Sequence, residues 1–270
     1  MILYKYTSAK GMKAILDGMA LLIRPADDYN DPFESLPAFD DRTARLVVEN
    51  LLLQRRALKR LSEDVEILGQ PYTVPKLRLL LRDENTRATI IDRLRKRSDM
   101  SMLDLAKSFQ RHIAKSVGFV CLSSNPANLL MWSHYADEHQ GFVFALDAST
   151  WDPRSIAKVE YSPRRASIPN KKPTEADVRP LVTTKSTDWS YEQEYRILCK
   201  ETEWQTLDSR RVGYLDITPI QIKWICAGIR SRDDKVRILS RLAEEKHVTN
   251  PDIMRAEIDE TEFRIKIPFE

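Results

Sequence analysis

Glycine is scarce in this chain of 270 residues, which holds 7 of them, well below the usual share of roughly 7%. A backbone that must approach a phosphate needs glycine, and neither G-x-G-x-x-G nor G-x-x-x-x-G-K-[ST] occurs. A Rossmann dehydrogenase, a P-loop NTPase and a protein kinase are disfavoured on that ground. Cysteine is also rare. Cys121, Cys199 and Cys226 are far apart and each lies in an apolar run, so they read as buried thiols in a reducing compartment, not as a disulfide framework or a zinc site. No stretch reads as a membrane-spanning helix, and Met1 to Tyr6 offers no basic n-region leading into an apolar one. The expectation is a cytoplasmic protein with no membrane partner.

What is present is charge and apolar pattern. Charged residues make up 31% and hydrophobic ones 42%, enough to bury a core without disulfides or metal. The net charge is only +3, but residues 41–117 hold 17 Lys/Arg against 10 Asp/Glu, a local +7. Within that block Val47, Leu51, Leu58, Leu61, Val65 and Leu68 recur at helical spacing, followed by helical stretches over 76–97 and 102–115. Outside it, short apolar strands dominate: 2–6, 20–23, 119–122, 142–146, 157–161, 194–199, 213–217, 222–227 and a closing pair over 253–267. Thr7 or Ser8 caps a first helix that Gly18 ends, another runs over 127–137 from a cap at Ser124 or Asn125, and a third spans 233–246. Strands outnumber crossover helices, which predicts one α+β domain over 1–270, mostly antiparallel, with a helical insertion at about 41–117.

Three strand ends carry reactive residues. Glu192 and Glu194, two apart at the start of a strand, point the same way across the pleat, with Trp189, Tyr191 and Tyr195 alternating around them. Such a pair stabilises a cationic sugar transition state, although a solvated strand face paired with Arg196 and Lys200 gives the same pattern. Ser123 and Ser124 follow an apolar strand, and Trp132 and Tyr135 lie three apart on the next helix, the spacing of an ordinary core face. Leu3-Tyr4-Lys5-Tyr6 opens the chain. The four histidines lack the grouping of a metal site, and no G-x-S-x-G frames a serine nucleophile.

The blocks Leu3-Tyr4-Lys5-Tyr6, Tyr29-Asn30-Asp31-Pro32-Phe33-Glu34, Cys121-Leu122-Ser123, Met131-Trp132-Ser133-His134-Tyr135-Ala136, Val159-Glu160-Tyr161 and Trp189-Ser190-Tyr191-Glu192-Gln193-Glu194-Tyr195-Arg196 stand in the order found in the bacterial family numbered 2971 among domains of unknown function. The chain resembles that family over nearly its whole length outside the insertion. More distantly it is similar to ADP-ribosyltransferases, which place His or Arg on an early strand, Ser-Thr-Ser or Tyr on a middle one and Glu-x-Glu on a later one. Lys5 stands here in place of the His or Arg, and the serine block has no threonine.

That second resemblance implies a split-sheet fold and NAD as substrate. Glu194 would hold the ribose and Glu192 the acceptor, with Ser123 positioning Glu194. Tyr4, Lys5, Tyr6, Asn30, Ser124, Trp132, Tyr135, Tyr191 and Arg196 would contact the nucleotide, and no metal is implied. ADP-ribose would pass to a protein or nucleic acid held by the basic insertion, or to water, as in toxins and phage-defence effectors. The alternative is a non-catalytic ligand- or nucleic-acid-binding module of a defence or stress system. A hydrolase acting on a glycoside or nucleotide through Glu34 with Glu192 or Glu194 is a third reading.

Overall fold

The structure, a computed structural model, describes residues 1–38, 55–97, 102–167, 174–200, 205–207 and 210–268. It divides into two compact units, one of Met1–Ser35, Ile113–Arg164 and Thr183–Glu270, the other of Leu36–His112 and Arg165–Val182. Residues 113–117 of the expected insertion lie in the first unit, and the second unit also takes in 165–182.

The chain opens with β1 (Ile2–Thr7), α1 (Ala9–Gly18) and β2 (Ala20–Pro25). Among the described residues five helices follow: α2 (Arg55–Ser62), α3 (Val65–Leu68), α4 (Val74–Leu80), α5 (Glu84–Arg97) and α6 (Met102–Ser116). Next come β3 (Val117–Ser123), α7 (Leu129–Tyr135), β4 (Phe142–Asp147), β5 (Ile156–Lys158), β6 (Glu160–Ser162), α8 (Glu175–Val178) and β7 (Thr184–Ser186). A 3-10 turn (Thr187–Glu192) leads into β8 (Glu194–Lys200), β9 (Gln205–Leu207), β10 (Arg210–Asp216) and β11 (Ile222–Ala227). The chain closes with α9 (Asp233–Glu245), β12 (Ile253–Arg255), β13 (Glu257–Ile258) and β14 (Ile265–Lys266).

In the first unit the main sheet runs β12-β11-β4-β1-β3-β2-β10-β9, with β8 also on β3 and β5 on β8. All its pairs are antiparallel except β11 with β12. Phe142 to Leu146 on β4 are wholly buried, as a continuous apolar run requires when both faces are covered. On one face Leu3, Val120, Leu122 and Ile197 pack with Met12 and Leu16 of α1 and Leu239 of α9. On the other, Tyr6, Val143 and Cys226 meet Met131 and Trp132 of α7. The second unit has its own core of Leu58, Leu61, Ile67, Leu77, Leu81 and Ile90.

Several expected boundaries move, two of them because a side chain caps the backbone. The helix expected over 76–97 is two, since Asp83 accepts the Thr86 N–H at 2.8 Å and starts α5. α7 begins at Asn128, whose side chain accepts the Met131 N–H at 3.0 Å, and not at Ser124 or Asn125. The strand expected over 157–161 divides between β5 and β6, which belong to different sheets. Val47 and Leu51 lie outside the described residues. Among the described residues no helix is long and apolar enough to cross a membrane.

Scarce glycine leaves left-handed backbone to other residues: Met19, Ser35, Asp137, Glu138, His139, Gln193 and His247 all have positive φ. Met19, not Gly18, takes that position after α1. Such residues cost of order 1–2 kcal/mol each unless their surroundings hold them. Gly141 is needed for closeness instead, because a Cβ there would lie 2.3 Å from the Thr7 carbonyl oxygen and 2.8 Å from Ala136. The Gly141→Ala variant is expected to lose about 1–3 kcal/mol, whereas Gly18→Ala, with open space around it, is expected to gain up to about 1 kcal/mol. Urea unfolding of both measures the contrast.

Candidate functional site

The site lies where one edge of β3 is shared. Tyr4 of β1 pairs with Ser123 at one end of β3, while β2 pairs with Phe119 and Gly118 at the other. The opposite edge carries β8 in continuous register, Ser123 against Glu194 and Cys121 against Arg196. Where β1 leaves the ladder, Lys5 Nζ donates to the Cys121 carbonyl at 3.0 Å. The sheet is therefore forked at this strand, and Tyr4, Ser123 and Glu194 stand in one row across three adjacent strands.

Alternation on β8 sends Glu194 and Arg196 to one face and Tyr195 and Ile197 to the apolar core on the other. Arg196 is fully buried. Its Nη1 and Nη2 donate to the two oxygens of Glu34 at 2.7 Å each, and its Nε to Glu194 at 2.8 Å. The Phe119 ring lies 4.2 Å from the guanidinium carbon, and Tyr29 stacks on that ring at 4.6 Å. Glu34 is turned inward by a local device: the buried Asp31 accepts the Phe33 N–H on its side chain at 2.9 Å and the Glu34 N–H on its carbonyl at 3.0 Å.

Glu192 is not on a strand, contrary to expectation, but ends the 3-10 turn. Left-handed Gln193, with φ 45°, separates it from Glu194, and the two acids converge through a shared cation instead of the pleat. Lys185 Nζ lies 2.5 Å from Glu192 and 3.3 Å from Glu194. The other Glu192 oxygen accepts the Tyr135 hydroxyl at 2.5 Å, and Asn30 donates to that hydroxyl at 3.5 Å.

Burial alone would raise the Glu194 carboxyl, but Arg196 and Lys185 hold it down at about 2. Glu192 lies above the ordinary carboxyl range because burial and the neighbouring Glu194 outweigh Lys185 and Tyr135. Burial and the adjacent Glu192 push the Tyr135 phenol up. Over this group runs a string of rings, Trp189 to Tyr191 at 6.2 Å, Tyr191 to His134 at 6.2 Å and His134 to Tyr135 at 6.3 Å.

Residues 131–197, about a quarter of the chain, match the family described as "Protein of unknown function (DUF2971)". No curated protein and no solved structure matches the chain. The matched stretch contains Tyr135, Lys185, Glu192, Glu194 and Arg196, while Lys5, Glu34 and Ser123 lie outside it.

Of the residues singled out from sequence, Asn30, Tyr135, Tyr191, Glu192, Glu194 and Arg196 belong to this group or its rim. Ser123 stands opposite Glu194, but its hydroxyl donates to the Glu192 carbonyl at 2.7 Å, so it fixes that main chain and not the Glu194 carboxylate. Ser124 is exposed, and its N–H and hydroxyl go to the Gln193 carbonyl. Trp132 is fully buried with its indole N–H on the Pro126 carbonyl, which places it in the core beside Tyr6. Tyr6 is buried likewise, its hydroxyl on the Asn125 carbonyl. Tyr4 is half-buried against Trp224, 5.5 Å between ring centres.

Glu34 and Glu194 face opposite sides of one buried guanidinium, leaving no space between them for a glycosidic oxygen. Lys185 was missed, since it ends a Pro-rich polar segment with no motif around it.

Removing one member of a buried ionic group strands the others. The Arg196→Met variant is expected to lose about 3–5 kcal/mol in urea unfolding, and adding Glu34→Leu and Glu194→Leu to recover part of it.

The pH dependence has two limbs. Glu192 binds its proton more readily folded than unfolded, so its contribution to stability rises as pH falls from neutrality toward its unfolded value of about 4.5. Glu194 does the opposite, and its contribution is lost between about 4.5 and about 2. Urea midpoints across pH 7 to 2 are expected to keep the falling limb in Glu192→Gln and to lose the rising one.

Proposed function

We propose that the first unit is an ADP-ribosyltransferase-like enzyme that takes NAD as substrate and breaks its bond between ribose and nicotinamide. The observation that carries this reading is the row of Tyr4, Ser123 and Glu194 across the fork of the sheet, with Glu192 drawn to the same point. A split sheet with an acid at the start of the strand beside the fork is what the resemblance implies.

The geometry supports exchanging the roles of the two acids. Glu194 is spent on Arg196, and its carboxylate is a structural counter-ion. Glu192 is reached through Tyr135 and Asn30, of which Asn30 is exposed and Tyr135 partly so. Three carboxylates, Glu34, Glu192 and Glu194, are bonded to two cations, Arg196 and Lys185, while Lys5 is held on a carbonyl. The Lys5 ammonium keeps its charge on that carbonyl and attracts Glu194, so the three acids face three cations, of which Lys185 is the one bonded to Glu192.

As nicotinamide leaves with the electron pair of the broken C–N bond, positive charge develops on the ribose. A preformed carboxylate beside that carbon is stabilised by no other new partner, so its attraction grows toward the transition state. Tyr191 and Tyr135 supply flat faces at the rim for the departing ring. The acceptor gives up a proton to solvent water as it bonds to the sugar carbon; water as acceptor makes the reaction NAD hydrolysis. The basic excess over 41–117 suits a nucleic-acid or acidic protein acceptor. The free thiols suit a reducing, cytoplasmic setting, and NAD consumption is chemistry suited to a toxin or defence effector.

One observation favours a binding module instead: each acid of the group is already matched by an internal donor. The two readings separate on turnover. Purified protein incubated with NAD and cell extract is expected to release nicotinamide, and Glu192→Gln to lower kcat by roughly 10²–10³. NAD raising Tm with no nicotinamide released favours the binding module. No release and no shift in Tm overturns both.

A further inference from the structure

Lys185 carries no motif, yet both acids depend on it. Its side chain is 6% exposed, and its Nζ contacts Glu192 at 2.5 Å and Glu194 at 3.3 Å. The Trp189 ring lies 4.6 Å from the same nitrogen and closes another side with a cation–π contact. Its position is set by backbone. Lys185 stands in register with Tyr161 in the parallel pair β6–β7, and the Tyr161 hydroxyl accepts the Glu194 N–H at 2.8 Å. One short ladder therefore aims the ammonium at the two carboxylates and fastens itself to the first residue of β8.

A buried ammonium survives only with anions at hand. Burial alone would drive the Lys185 amine down, but Glu194 and Glu192 reverse this and hold it above the ordinary amine range. The dependence is mutual. Two carboxylates in one buried place cannot both stay ionised without a cation, as the repulsion of close like charges dictates. Arg196 is bonded to Glu194 and Glu34, and among the described residues Lys185 is the cation in contact with Glu192. The other titratable groups facing Glu192 are Tyr135 on α7, Tyr161 on β6, Tyr191 on the 3-10 turn and Glu194 on β8. None of these brings positive charge.

We propose that Lys185 is a positioning residue: its ammonium holds Glu192 and Glu194 side by side and keeps Glu192 in the charged form at neutral pH. Its consequence for catalysis rests on Glu192 being the reacting carboxylate, but the charge relation itself does not.

Titration of the Glu192 carboxyl by ¹³C NMR, assigned by its disappearance in Glu192→Gln, tests the relation without any turnover. In Lys185→Met the Glu192 midpoint is expected to rise by about one pH unit or more, roughly tenfold in proton affinity. Lys185→Arg is expected to keep it near the parent value. Lys185→Gln, which retains a hydrogen-bond donor but no charge, is expected to rise as Lys185→Met does and serves if the latter fails to fold. An unchanged midpoint in the uncharged variants, or a rise in Lys185→Arg as large as theirs, overturns the proposal.

Where nicotinamide release is measurable, the acid limb of the kcat profile moves up by the same amount in Lys185→Met and returns in Lys185→Arg. A parent protein that titrates as expected but releases no nicotinamide refutes the transferase reading and leaves the role of Lys185 standing.

Discussion

The Arg196 guanidinium, wholly buried and shared between Glu34 and Glu194, is the constraint on which the rest of the first unit turns. A guanidinium stays charged in any protein interior, so every oxygen around it must be placed to match its planar fork. Two of the resulting bonds reach into residues 26–35 after β2 and fix Glu34 against β8. That attachment carries Asn30 to Tyr135 and Tyr29 to Phe119. A single ion group thereby fastens a loop to the sheet and forms one wall of the candidate site. Its worth lies less in net stability than in having one satisfied arrangement, because a buried ion pair roughly breaks even against apolar packing.

Strain gathers around the same group. Of the seven non-glycine residues with positive φ among the described residues, Ser35 follows Glu34, Gln193 separates Glu192 from Glu194, and Asp137 to His139 form the turn just after Tyr135. A chain with so few glycines had cheaper choices for a turn at each place. Three successive left-handed residues are held by bonds from the 138, 139 and 141 amides to the Ser133, Trp132 and Ala136 carbonyls. Gln193 is held by its own carbonyl, which accepts from the Ser124 backbone and hydroxyl. Unfavourable backbone persists where surroundings over-determine it, and such places coincide with functional sites often enough to make the coincidence informative.

Much of the fold was legible because its signals are local. The continuous apolar run of β4, the helical face of α9 and the strands on either side of the fork follow from periodicity and capping alone. The antiparallel bias followed from counting strands against helices. What was not legible is what depends on pairs distant in sequence. Arg196 reads on its own as a solvent-facing partner for a neighbouring acid, and only the sheet brings Glu34, 162 residues away, into its fork. Lys185 belongs to a three-residue strand whose partner is another three-residue strand, too short for any pattern. Trp132 and Tyr135 shared one spacing and met opposite fates, one in the core and one on the rim, because the Pro126 carbonyl takes the indole and Glu192 takes the phenol.

The two acids that looked equivalent in sequence are made unequal by their counter-ions. Glu194 lies against a group that cannot deprotonate, so its charge is permanent at any ordinary pH and already matched. Glu192 lies against an amine and a phenol, and burial beside Glu194 leaves its own carboxyl readier than usual to take up a proton. Charge on Glu192 is therefore conditional. It is retained while Lys185 is charged and near, and it falls as protons become available. A conditional carboxylate next to a fixed one is the arrangement by which two chemically identical side chains come to perform different tasks. Here it gives Arg196 and Glu194 the work of holding the loop to the sheet, and the proposed function gives Glu192 the contact with a ligand.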